Sequence, residues 1–155
     1  MTLSNLLSPG QVVPALRAEV RWDAIAELVD TLVACGKVKP ADRESVLESI
    51  RQREETMSTG IGLGIAIPHA SSDLVGEVVA AFGRSENGVE FDALDGQPVQ
   101  FIVLFVVPKD QFQTHLRTLA AIAKFLNDRT VREELAKAGS AEEILGVFRN
   151  RSPKA

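Results

Sequence analysis

Gly62-Leu63-Gly64-Ile65-Ala66-Ile67-Pro68-His69 is the stretch on which the reading of this chain turns. Its glycines allow tight or left-handed backbone. The apolar residues after them read as a short strand. Pro68 offers no N–H, so it is expected to end the pairing. His69 is then left at the rim of a sheet, on backbone with little freedom, where an imidazole is well presented to a partner. His115 opens a later helical pattern, and these two are the histidines of the chain.

Outward from that stretch the hydrophobic period changes. Before it, Trp22, Ile25, Ala26, Val29, Leu32 and Val33 recur at helical spacing over residues 21–35, and Gly36 follows as a stop. Pro40 opens a second predicted helix that buries Val46, Leu47 and Ile50, carries Arg51-Gln52-Arg53-Glu54-Glu55 and ends near Thr59-Gly60. After it, residues 78–84 read as a strand and residues 89–92 as a second, half-buried one. Val99 to Val107 is nearly all apolar and predicts a central strand covered on both faces, ended by Pro108. The last third is helical. Leu116, Leu119, Ala120, Ala123 and Leu126 form a stripe, Asp128 caps the helix that follows, and Ser140 with Glu143 forms a capping-box pattern for a final helix through Phe148. The expected fold is a single layered α/β domain over residues 1–150, a mixed β-sheet flanked by helices on both faces, with residues 151–155 as a disordered tail.

Composition narrows the function classes. The 155 residues are 45% apolar and 25% charged, an ordinary globular balance for one domain. A net charge of -4 argues against nucleic acid or an anionic membrane as partner. No apolar run spans a bilayer, and Met1-Thr2-Leu3-Ser4-Asn5 lacks the pattern of a signal peptide, so no membrane insertion is expected. A single cysteine, Cys35, forms no internal disulfide, and with two histidines it makes a poor zinc set. A cytoplasmic protein without metal or cofactor is expected.

The string Arg53-Glu54, Ser58-Thr59-Gly60-Ile61-Gly62 through His69 resembles the active-site segment of enzyme IIA of the phosphoenolpyruvate-dependent sugar phosphotransferase system, in its mannitol/fructose branch, which includes nitrogen-regulatory IIA proteins. The resemblance continues through Val89 to Val99, Val107-Pro108-Lys109-Asp110 and Thr114-His115-Leu116. It implies a phosphocarrier. His69 would accept a phosphoryl group from an HPr-like carrier and pass it to a IIB domain, or report its phosphorylation state to a regulatory target. His115 aligns with the family's second active-site histidine and Arg53 with its arginine. Met57 and Leu63 depart from the family pattern, and Leu63 weakens assignment to the nitrogen branch. The alternative is a ligand-sensing or protein-binding module on the same fold.

The chemistry suits these residues. An unperturbed histidine titrates near pH 6.5 in model peptides, so much of it is neutral and nucleophilic around neutrality. His115 at a helix start, with Thr114 as N-cap, is expected to stay neutral and donate to phosphate. Arg53 offers a planar fork of donors to phosphoryl oxygens. The amides around Gly60, Gly62 and Gly64, and the Thr59 hydroxyl, are candidates for holding the group beside His69. The surface for a partner protein is expected to be flat and partly apolar, with Leu63, Ile65 and Ala66 as candidates.

Overall fold

The computed structural model describes residues 3–56 and 58–151. The Met57 departure and residues 152–155 of the expected tail lie outside them. In chain order the elements are α1 (Leu3–Leu6), β1 (Val12–Val13), α2 (Arg21–Ala34), α3 (Arg43–Thr56), β2 (Gly60–Gly62), β3 (Ile65–Ala66), β4 (His69–Ser72), β5 (Val79–Val89), β6 (Val99–Pro108), α4 (Phe112–Leu126), α5 (Arg129–Lys137) and α6 (Ala141–Arg151).

Strand β6 is the axis. Apart from Gln100 it is buried from Val99 to Pro108. Ile102, Leu104 and Val106 face α2 and α3, in one cluster with Leu28 and Ile50. Phe101, Val103, Phe105 and Val107 face α4 to α6, in a second cluster with Phe125 and Phe148. Period-two alternation with both faces apolar is what a central strand between two helical layers requires. The expected mixed sheet, covered on both sides, is therefore present: β5 runs antiparallel to β6, while β3 and β4 run parallel to it.

Several elements differ from the sequence reading. The strand over residues 65–67 does not end in a terminal Pro68 with His69 beyond it. Pro68 separates two short strands lying one after the other along the same side of β6. Its missing N–H breaks one rung, but its carbonyl still accepts from Phe105 N at 3.0 Å, so pairing resumes and His69 begins β4. The strand expected over residues 78–84 runs on as β5 to Val89, with a register shift between Arg84 and Val89, and of the second expected strand beyond Val89 only Glu90 pairs, in an isolated bridge with Val20. Helix α4 begins three residues before His115, so Thr114 lies inside it rather than at its cap. Leu126 of the expected stripe is buried, but Leu116 is 41% exposed, and His115, Ile122 and Phe125 are buried as well. Helix α6 continues past Phe148 through Arg151. Asp128 does cap α5, accepting from Thr130 N at 2.8 Å.

The turn between β2 and β3 holds three consecutive left-handed residues, Gly62 at φ 97°, Leu63 at φ 59° and Gly64 at φ 79°. Only the leucine is strained there, because its Cβ crowds the carbonyl. It is 54% exposed, so little packing offsets the strain. Leu63→Asn should therefore raise the unfolding free energy by about 1 kcal/mol, read as a higher urea midpoint. A lower midpoint would show that the leucine contributes more by contact than its backbone costs.

Candidate functional site

His69 is the first residue of β4 and lies opposite Phe105 of β6. That register turns its ring toward the α4 layer, where it lies nearly parallel to Phe112, with centroids 6.2 Å apart. Its Nδ1 is 2.8 Å from the carbonyl oxygen of Ile67. A carbonyl only accepts, so Nδ1 donates and holds the proton, and in the neutral ring Nε2 carries the free lone pair. Burial pushes the imidazole below its ordinary value of 6.5, and the nearby Arg53 charge pushes the same way, against the Ile67 bond and the Glu54 carboxylate. The nucleophilic form is the favoured one near neutral pH.

Arg53 approaches from the other layer. Ser49, Gln52 and Arg53 stand three and four residues apart on one face of α3, which packs against β4. Among the described residues strand β4 pairs only with β6, so its outer edge is open to α3. An open depression of about 480 Å³ lies over that edge, lined by Ser49, Gln52, Arg53, His69, Ala70, Ser71, Lys109 and Phe112.

The C-terminal end of α3 is held by Glu54, a member of the charged run on the second predicted helix. It is 1% exposed. Its carboxylate accepts from Thr59 N at 2.8 Å and from the Thr59 hydroxyl at 2.5 Å, and lies 3.5 Å from Arg21 Nη1. Arg21 in turn lies over the Trp22 ring, its guanidinium carbon 4.3 Å from the centroid. The buried carboxylate thus ties α3 to the start of β2 and fixes the helix turn that carries Arg53.

The expected glycine loop is elsewhere. The Thr59 hydroxyl is engaged by Glu54, and neither Thr59 nor Gly60, Gly62 or Gly64 lines the depression. Gly64 O accepts from Phe101 N, four residues along β6 from the partner of His69, which places the loop about 13 Å away at about 3.3 Å per strand residue. Gly60 serves packing: a Cβ there would lie 2.8 Å from Ala93 Cα. Ile65 and Ala66 are buried, so of the three expected partner-surface residues only Leu63 is exposed.

His115 lies on the same side of the sheet as His69, one turn after Phe112, but does not line the depression. It is 7% exposed, with its ring edge-on to Phe105 at 6.4 Å. Its Nδ1 is buried and has no hydrogen-bond partner among the described residues. A proton there would strand a buried donor, so the neutral ring keeps its proton on Nε2 as a donor. Sequence reasoning missed Lys109 and Ser71 as lining residues. Ser71 was legible as the residue two beyond His69 on the same strand face, had β4 been recognised; Lys109 follows from the pairing of Ser72 with Pro108.

The sequence pattern described as "Phosphoenolpyruvate-dependent sugar phosphotransferase system, EIIA 2" matches residues 5–151. The chain belongs to that family. It is 38% identical over 125 residues to a fructose-specific EIIA component of the phosphotransferase system from Haloferax volcanii, covering 81% of this chain and 80% of that one. The crystal structure of the nitrogen regulatory protein IIA-Ntr from Neisseria meningitidis superposes with a TM-score of 0.84 at 30% identity, covering 94% of this chain and 98% of that one. The mannitol enzyme IIA of Escherichia coli, solved in complex with phosphorylated mannitol enzyme IIB, shares the fold at a TM-score of 0.78 and 22% identity, over 94% and 98% of the two chains. Membership of this family makes the chain a phosphotransfer component. No helix among the described residues is long and apolar enough to cross a membrane.

Two predictions come from this geometry. The His69 titration followed by NMR should have its midpoint below 6.5, and Arg53→Gln should move it upward by removing a positive neighbour. The linkage sign follows: below the unfolded value the unfolded chain binds the proton first, so His69 lowers stability as pH falls through that value. Glu54→Ala should strand the Thr59 donors and lower the unfolding free energy by about 3 kcal/mol in urea titration; no loss would remove the proposed tie between α3 and β2.

Proposed function

We propose that this chain is a phosphocarrier whose acceptor is Nε2 of His69. The single observation that carries this is the Nδ1 bond to Ile67 O, which leaves Nε2 as the free nucleophile beside Arg53 and an open depression. The donor is the phosphohistidine of an HPr-like carrier. Nε2 attacks the phosphorus, a new N–P bond forms on His69, the N–P bond to the donor histidine breaks, and no net proton is required. Arg53 balances charge on the phosphoryl oxygens. His115 supports the group through its Nε2–H. An open depression suits a reaction in which another protein brings the phosphorus.

The phosphoryl group then passes to a IIB domain, or its presence on His69 reports to a regulatory target. The family match and the phosphorylated IIB partner of the mannitol relative support the first use. The likeness to nitrogen-regulatory IIA-Ntr supports the second. Either use suits a cytoplasmic protein, since the phosphate donors of this system act there.

Incubation with phosphoenolpyruvate, enzyme I and HPr should add one phosphate to the protein by intact mass. His69→Ala should abolish the label, and His115→Ala should slow it without moving it to another residue. Full labelling of His69→Ala would overturn the assignment.

A further inference from the structure

The depression around His69 has an unusual charge for this chain. The protein as a whole carries a net charge of -4, yet the lining holds the cations Arg53 and Lys109 and no carboxylate. Lys109 makes no ion pair among the described residues, although Asp110 is its neighbour in sequence. Its backbone is well anchored: it directly follows Pro108, which pairs with Ser72 at the end of β4. Lys109 is exposed, so its ammonium stays hydrated until an anion arrives, and no desolvation cost is stored in the empty site. Its position is not dictated by the fold, because a strand end followed by a 3₁₀ turn accepts any polar residue there.

A phosphoryl group on His69 brings about two negative charges to this place. Arg53 supplies one positive charge. We infer that Lys109 is the second phosphoryl-binding cation, closing an ammonium-to-phosphoryl contact once the group sits on His69 Nε2. This rests on the phosphocarrier reading above and deepens it: Lys109 sets how far the transfer equilibrium lies toward this chain rather than toward its donor or acceptor. Where the lysine is removed, one phosphoryl charge stays uncompensated and the group is passed on more readily. No bond is made or broken by Lys109, and the transfer balances as before.

The experiment is phosphoryl exchange between this chain and phosphorylated HPr, with the equilibrium ratio read by ³¹P NMR for wild type, Lys109→Gln, Lys109→Arg and Lys124→Gln. Lys124 lines a separate groove beside α5 and α6, so its substitution makes the same change in net charge away from His69. Lys109→Gln should move the equilibrium about fivefold away from this chain, the size of one exposed charge-assisted contact. It should also reduce the salt dependence of that equilibrium and shift the phosphohistidine ³¹P resonance. Lys109→Arg should restore the equilibrium within about twofold, since the charge is kept. Lys124→Gln should leave ratio and resonance unchanged. A labelled wild type with Lys109→Gln indistinguishable from it would overturn the Lys109 assignment alone, as would equal effects of Lys109→Gln and Lys124→Gln. A wild type that takes no phosphate from HPr would overturn the carrier reading and this inference with it.

Discussion

The parallel pairing of β4 with β6 is the constraint on which the site depends. Buried on both faces over nearly its whole length, β6 cannot slip by one residue without turning Phe101, Val103 and Phe105 into the layer built for Ile102, Leu104 and Val106. A strand paired to it inherits that register. His69 lies opposite Phe105, so its ring must face α4, and its place along the edge is set to within one rung. Pro68 makes this possible rather than preventing it. Its ring interrupts the ladder between β3 and β4, and its carbonyl keeps Phe105 N satisfied across the break.

From that placement the chemistry follows by short steps. A histidine at an open edge is reachable by another protein, while its flank against Phe112 is dry enough to disfavour the imidazolium. The Ile67 carbonyl two residues back fixes the tautomer. The arginine comes across the edge from α3, and a buried carboxylate one residue away holds that helix end in place. The proposed carrier site thus draws on both layers of the fold, with a single short strand between them.

Much of this was legible in the sequence, and the residues show why the rest was not. The length and composition of residues 99–107 were enough for a buried central strand, and helical spacing was enough for α2 and α3, because both signals are local. The two-strand arrangement around Pro68 was not local: whether a proline ends a strand or only interrupts it depends on what lies alongside, here β6. The same non-locality hid Glu54. A carboxylate in a charged helix turn reads as solvated, and only the return of Thr59 against it shows the burial. The glycines read as a loop near the imidazole because they precede it closely in sequence. An extended strand then carries the chain away at about 3.3 Å per residue, and the proximity is lost. His69, Arg53 and His115 were drawn from a family resemblance; the geometry adds the Ile67 hydrogen bond that sets the His69 tautomer.

The most direct test of the central claim is the position of phosphorus on the imidazole. Long-range ¹H–¹⁵N correlation spectra of the protein before and after phosphorylation report both the tautomer of His69 and the nitrogen that bears the phosphoryl group. The account predicts a neutral ring protonated on Nδ1 beforehand and a ³¹P-coupled Nε2 of His69 afterwards, with Nδ1 still hydrogen-bonded to Ile67. Phosphorus coupled to Nδ1 of His69, or to either nitrogen of His115, would contradict it.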